Sequence, residues 1–179
     1  MQFTRLDELG PGPFGTAWRA RIDETGAVVA LKPLPEDGGD SARRASLWWS
    51  IVMAGRVVSP SVARVMDVYR LDDGPYLARE HVAGRSLADL LLAHGPVHPL
   101  AAHKLLREIA AGLAAIHALG LLHLDLKPSN VIVDESGAAR LTDFALAPVL
   151  REMTDPAWTA PEGPTDARSD LYSLGLVAY

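Results

Sequence analysis

The sequence of 179 residues contains no cysteine, which excludes disulfide cross-links and thiolate metal sites and is compatible with a reducing compartment. It contains no basic run, and its formal net charge is −5. Phosphate-backbone binding is driven by clustered Lys and Arg, so nucleic acid is not expected as a main partner. Long apolar runs are missing as well: the longest, IAAGLAAIHALGLL, is interrupted by His117 and is too short to span a bilayer. The opening residues, MQFTRLDELG, carry charges where a secretory signal would need an apolar core. The expectation is a cytoplasmic chain with no membrane segment. There is no internal repeat and no low-complexity tract. Of the scattered histidines only His94 and His98 share helical spacing, and Pro99 follows at once, so loop or surface roles are expected for them rather than metal binding. What is present, 49% hydrophobic and 22% charged residues, is the composition of a folded chain long enough for one large domain or two small lobes.

Periodicity divides the chain. FTRLDEL, TAWRARI and AVVALKPL are short apolar runs separated by the turn signals GPGPFG and DETG, which predicts an antiparallel meander. Asp40 and Ser41 are suited to cap a helix through ARRASLWWSIVMAG. Pro60 marks a break, and VARVMDVYRL and PYLAREHV predict two more strands around DDGP. From Ser86 the period changes: Ala102, Leu105, Leu106, Ile109, Leu113 and Ile116 recur at helical spacing on one apolar face. The predicted class is α+β, with a small five-stranded antiparallel lobe and one helix over residues 1–82, a hinge at 83–85 containing Gly84, and a helical lobe over 86–179.

Three stretches carry chemistry. GPGPFG places Gly10, Gly12 and Gly15 in a turn where backbone amides can approach phosphate oxygens without a Cβ in the way, although a plain hairpin would use the same residues. A strand pattern with Trp18 follows Gly15, not the helix that a dinucleotide fold would require. VALK then puts Lys32 on a strand, next to Ala30 and at a distance suited to α and β phosphates. In HLDLKPSN and the following DFA, Asp125 can accept a hydroxyl proton and Lys127 can neutralise a phosphoryl group in flight, while Asn130 and Asp143 offer hard oxygen ligands for magnesium. Any one of these would suit a polar loop; all four together suit phosphoryl transfer, which needs positioning and charge neutralisation.

In this order and at these spacings, the stretches resemble a serine/threonine protein kinase of bacterial type over nearly the whole chain, including YLAREHVAGRSLADLL, APE at 160–162 and SDLYSLG. The resemblance implies a bilobal kinase-like fold, ATP and Mg2+ as cofactors and a protein substrate or regulated partner. It implies Asp125 as base, Lys127 as phosphate-neutralising cation, Asn130 and Asp143 as magnesium ligands and Lys32 as phosphate anchor. Gly10, Gly12, Gly15 and Ala30 would border the nucleotide, Glu80 and Val82 would offer backbone groups to adenine, and Asp170 would brace the catalytic loop.

The pattern is also broken. No glutamate stands in the predicted helix SARRASLWWSIVMAGRV to pair with Lys32; that position falls near Ser50, so Lys32 is expected not to be held in one rotamer. Neither Glu36 nor Asp37 is a trusted substitute. Ala145 replaces a glycine, with an expected cost of ~1 kcal/mol if the backbone needs positive φ. Leu124 replaces an arginine that would grip a phosphorylated loop, and Ala17 replaces a valine that would pack on adenine. Arg79 occupies an ordinarily apolar position at the back of the pocket, from which it would compete with magnesium for Asp143 if it pointed inward. Asp155 is expected to add negative charge beside Asp125, and Thr154 and Thr159 are candidate autophosphorylation sites. Leu174, Leu176 and Val177 are expected to lack their usual cover, which implies a fragment of a longer product, a second chain or homo-oligomer over that face, or a different local fold. Two functions therefore stay open: a kinase transferring the γ-phosphoryl group of Mg-ATP to a protein Ser/Thr hydroxyl, and a pseudokinase acting as a scaffold or regulatory module.

Overall fold

The computed structural model describes residues 1–36, 41–146, 155–163 and 166–179. Five strands, β1 (Phe3–Gly12), β2 (Gly15–Ile22), β3 (Val28–Pro33), β4 (Val65–Leu71) and β5 (Gly74–Glu80), form an antiparallel sheet in the order β1-β2-β3-β5-β4. The alternation of side chains along a strand decides what each face carries. On one face Ala20, Ile22, Val29, Leu31, Tyr76 and Ala78 make a small apolar cluster. Ala30 and Lys32 therefore project from the other face, together with Leu77 and Arg79; the register pairs Ala30 with Arg79 and Lys32 with Leu77. That second face is covered by helix α1 (Ser41–Ala54), whose Leu47, Ser50, Ile51 and Ala54 are buried at helical spacing. Asp40, expected as its cap, lies outside the described residues.

The remainder holds three α-helices among the described residues: α2 (Leu87–His94), α3 (Pro99–His117) and α4 (Ala167–Ala178). Ser86 caps α2 by accepting from Asp89 N. His98 caps α3 through Nδ1, with Pro99 at the first helical position, so this histidine has a local structural role. The predicted apolar face of α3 is present, with Leu105, Ile109, Leu113 and Ile116 buried. A single core joins the two parts, running from Leu47 and Ile51 through Leu77 to Ile109, Leu113, Leu126 and Phe144. The α+β architecture is thus the expected one.

Two features depart from expectation. Residues 84–86 form a strand, β6 (Gly84–Ser86), which pairs with β7 (Val131–Asp134), itself paired with β8 (Ala139–Leu141), to give a three-stranded antiparallel sheet under the helices. A Cβ on Gly84 would collide with the backbone carbonyl of Val133. Gly84→Ala is accordingly expected to lower stability by ~1–3 kcal/mol through overpacking, read as a lower urea midpoint. The second concerns α4: Leu174, Leu176 and Val177 are half-buried, and Leu174 and Val177 pack against the main core. Leu171 and Tyr172 carry the exposure instead, because the helix turns Ser169, Asp170 and Ser173 inward.

Candidate active site

Between the large sheet and the helices lies a cleft of about 560 Å³ lined by Gly10, Gly12, Ala30, Lys32, Val82, Asp125, Lys127, Asn130 and Asp143. Of the residues expected there from the sequence, only Gly15 and Glu80 are absent from its wall. The roof is the β1–β2 hairpin, in which Gly10 pairs with Ala17 and Gly12 with Gly15, leaving Pro13 and Phe14 at the tip. Gly10 and Gly15 have φ of 129° and 126°, which side-chain-bearing residues rarely adopt, so the turn depends on them. Hairpin and glycine-rich loop are thus the same object.

The anionic centre is Asp143. Lys32 Nζ donates to its Oδ2 at 2.8 Å, and Arg79 Nε stands 3.5 Å from its Oδ1. Burial would raise the Asp143 pKa, but the Lys32 and Arg79 charges and the Lys32 hydrogen bond outweigh it and hold the carboxyl at about 2. The expectation of an unrestrained Lys32 is therefore corrected: Asp143 is its partner, while Ser50 is buried on α1. Glu36 pairs with Arg70 at 2.9 Å and plays no part here; Asp37 lies outside the described residues. Arg79 points inward, and its Nη1 donates to the backbone carbonyl of Glu80 at 3.1 Å. Both Arg79 Nε and Asp143 Oδ1 are buried without a hydrogen-bond partner. The Glu80 carboxylate faces elsewhere, accepting from Arg140 Nη1 at 2.7 Å and from Arg64 N at 3.2 Å.

Asp125 is held by two donors. Lys127 Nζ donates to its Oδ1 and Asn130 Nδ2 to its Oδ2, each at 2.8 Å, while Asn130 Nδ2 also reaches the Asp125 carbonyl at 2.7 Å. The loop that carries them is fixed from α4: the wholly buried Asp170 accepts from His123 N at 2.9 Å and Leu124 N at 2.8 Å, and His117 Nε2 lies 2.7 Å from its Oδ2. These bonds hold Leu124 at φ 56°, a left-handed conformation that costs a leucine ~1–2 kcal/mol. His123 is fully buried against Phe144, and burial lowers its pKa.

One expectation changes at the edges of the site. Ala145 is buried in a 3-10 turn, and the positive φ falls on Asp143 at 70°, so alanine meets no such strain. Asp155 is exposed and uses its carboxylate to accept from Ala157 N, capping a short turn. Thr159 Oγ1 donates to the Asp155 carbonyl, and Thr154 lies outside the described residues. His117 and Arg140 are the contributors sequence reasoning missed. His117 follows Leu113 by one helical turn, a spacing that places it on the buried side, whereas nothing in the sequence marks Arg140.

A hard divalent ion fits this donor set in part. Asp143 and Asn130 both line the cleft, Asp143 Oδ1 is a buried acceptor without a hydrogen-bond partner, and Asn130 carries an amide oxygen; magnesium takes few protein ligands and completes its shell with water and phosphate. Among the described residues no cluster of three or more His, Asp or Glu forms a metal cage.

A sheet-and-helix chain with a glycine hairpin, a strand lysine and two separately held aspartates on one cleft has the layout of a phosphotransferase. Comparison with known proteins narrows this. The model of the protein kinase domain matches residues 3–179, and the chain belongs to that family. It is 34% identical to serine/threonine-protein kinase pkn2 of Myxococcus xanthus, over 99% of this chain and 24% of that protein. It is 34% identical to serine/threonine-protein kinase PkaA of Streptomyces coelicolor, over 97% and 37% respectively, and 33% identical to PknD of Mycobacterium tuberculosis, over 98% and 28%. The chain spans about a quarter to a half of the length of these and similar relatives. No helix among the described residues is long and apolar enough to cross a membrane.

Proposed function

We propose that the cleft binds Mg-ATP and that the domain transfers the γ-phosphoryl group to a serine or threonine hydroxyl of a protein substrate in the cytoplasm. The observation that supports this most is the convergence of Lys32, Asp125, Lys127, Asn130 and Asp143, drawn from three separate segments, on one cleft. Lys32 would hold the α and β phosphates under the glycine hairpin, releasing Asp143 as it does so. Asn130 and Asp143 would hold magnesium, which when bound supplies positive charge for the phosphate oxygens. The acceptor hydroxyl gives its proton to Asp125 as its oxygen bonds to the γ-phosphorus, and the bond from that phosphorus to the bridging oxygen breaks to release ADP. Lys127, held 2.8 Å from Asp125, places its charge beside the group in transfer. Ala17, Ala30 and Val82 are apolar residues in the cleft wall, against which the base would lie.

A second reading, a pseudokinase that docks or regulates a partner, is supported by one specific feature: α1 offers Ser50 instead of a carboxylate, and Asp143 is already neutralised by Lys32 and Arg79. Phosphate transfer from labelled ATP to a generic protein substrate separates the two. Asp125→Ala is expected to lower the transfer rate ~10²–10⁴-fold with nucleotide affinity unchanged within a few-fold. Transfer indifferent to the substitution would contradict the assignment of the base. A folded wild-type protein that binds nucleotide but transfers nothing would favour the second reading.

A further inference from the structure

We propose that Arg79 is a built-in counter-ion of Asp143: its guanidinium shares with a divalent ion the task of neutralising that carboxylate, so nucleotide binding in this cleft depends only weakly on magnesium. The inference rests on the reading of the cleft as a Mg-ATP site and deepens it.

The placement of Arg79 follows from the register. β5 is an interior strand, with Arg79 opposite Ala30 on β3 and opposite Val65 on β4, and alternation puts its side chain on the face that carries Lys32. That side chain is 13% exposed, and that of Asp143 is 9% exposed. Two contacts hold it. Nη1 donates to the Glu80 carbonyl at 3.1 Å, and Nε stands 3.5 Å from Asp143 Oδ1. The second contact is an ion pair without a hydrogen bond, since Nε and Oδ1 are both buried and partnerless. A carboxylate and a guanidinium this deeply buried each need an opposite charge close by, because little water reaches them. Lys32 already covers Oδ2 at 2.8 Å, so Arg79 is the cation that answers Oδ1. With two cations on one carboxylate, this part of the cleft wall is net positive before any metal arrives. A triphosphate therefore meets no bare anion there. A divalent ion approaching Oδ1 meets a like charge that Nη1 tethers to the backbone, and a neighbouring like charge opposes its binding. An uncharged side chain at position 79 would leave Oδ1 to the metal alone: nucleotide would be repelled without magnesium and held with it. Arg79 thus acts through Asp143, as a positioning charge and not as a catalytic residue.

The experiment is a calorimetric titration of ATP, once with excess Mg2+ and once with EDTA, into wild-type protein, Arg79→Leu, Arg79→Gln and Arg79→Lys. The reading is the ratio of the two affinities. The wild type is expected to lose less than about tenfold in affinity when magnesium is removed. Leucine and glutamine delete the charge and should raise the ratio by roughly tenfold or more, the scale on which one buried charge acts on its neighbour. Lysine keeps the charge and should stay within a few-fold of the wild type. A wild type that loses more than about tenfold in EDTA overturns the proposal even if no variant folds. So does a ratio unchanged in folded Arg79→Leu or Arg79→Gln, or a folded lysine variant that follows leucine, in each case with the nucleotide site left standing. No heat from ATP in either condition with any of the folded proteins would overturn the nucleotide reading, and this inference with it.

Discussion

Asp170→Ala is expected to lower folding stability by about 3–6 kcal/mol, enough to unfold much of a domain whose total is typically ~5–15 kcal/mol. The carboxylate is wholly buried and serves three donors. Its removal leaves the amides of His123 and Leu124 without acceptors, at ~1–3 kcal/mol each, and His117 without its partner. It also releases the restraint that keeps Leu124 at φ 56°. The adjacent Asp125 would then lose its position, so any activity that survives in the cold should fall with the urea midpoint. Asp170→Asn keeps one acceptor oxygen and should be intermediate. Equal midpoints for wild type and Asp170→Ala would mean the loop is fixed by something other than α4.

Asp143→Ala should be nearly as damaging, because it strands two cations. Lys32 and Arg79 have side chains 13% exposed, and both face the same carboxylate. Breaking a buried pair by deleting one partner typically costs ~3–5 kcal/mol, since the remaining charge is left uncompensated. The pH dependence gives an independent reading. The Asp143 pKa of about 2 in the folded protein lies below its ordinary value of 3.8. Between those values the unfolded chain binds more protons than the folded one, so stability rises with pH. The contribution is fully present above pH ~4 and is lost as pH falls through about 2, a difference of ~2 kcal/mol. Urea midpoints measured from pH 5 to pH 2 should therefore converge for wild type and Asp143→Ala as the wild type loses this contribution. Parallel curves would contradict the ion-pair account.

The large sheet and α3 were legible because their signals are periodic and local: alternation in AVVALKPL, and a three-four spacing from Leu105 to Ile116. The second sheet was not, since β6 is only Gly84–Ser86 and β8 only Ala139–Leu141, too short for alternation to stand out from a loop. Site residues Lys32, Asp125, Lys127, Asn130 and Asp143 could be named from type and order alone. What they do to one another could not. The Lys32–Asp143 pair joins residues 111 positions apart, a separation at which no local pattern marks a partner. Arg79 was identifiable as a misfit, but its inward direction became clear only from the pairing of β5 with β3. The reading of Ala145 as strained failed because the left-handed φ falls on Asp143, two residues earlier, and nothing local announces that shift.

The central claim is that this cleft is a site for a purine nucleoside triphosphate with magnesium. The direct measurement is isothermal titration of the folded chain with ATP and with GTP, up to millimolar concentration and with Mg2+ present. A saturable one-to-one heat that disappears when Lys32 is replaced by methionine is the predicted result. Folded protein that gives no heat with either nucleotide, or a heat untouched by Lys32→Met, would contradict it.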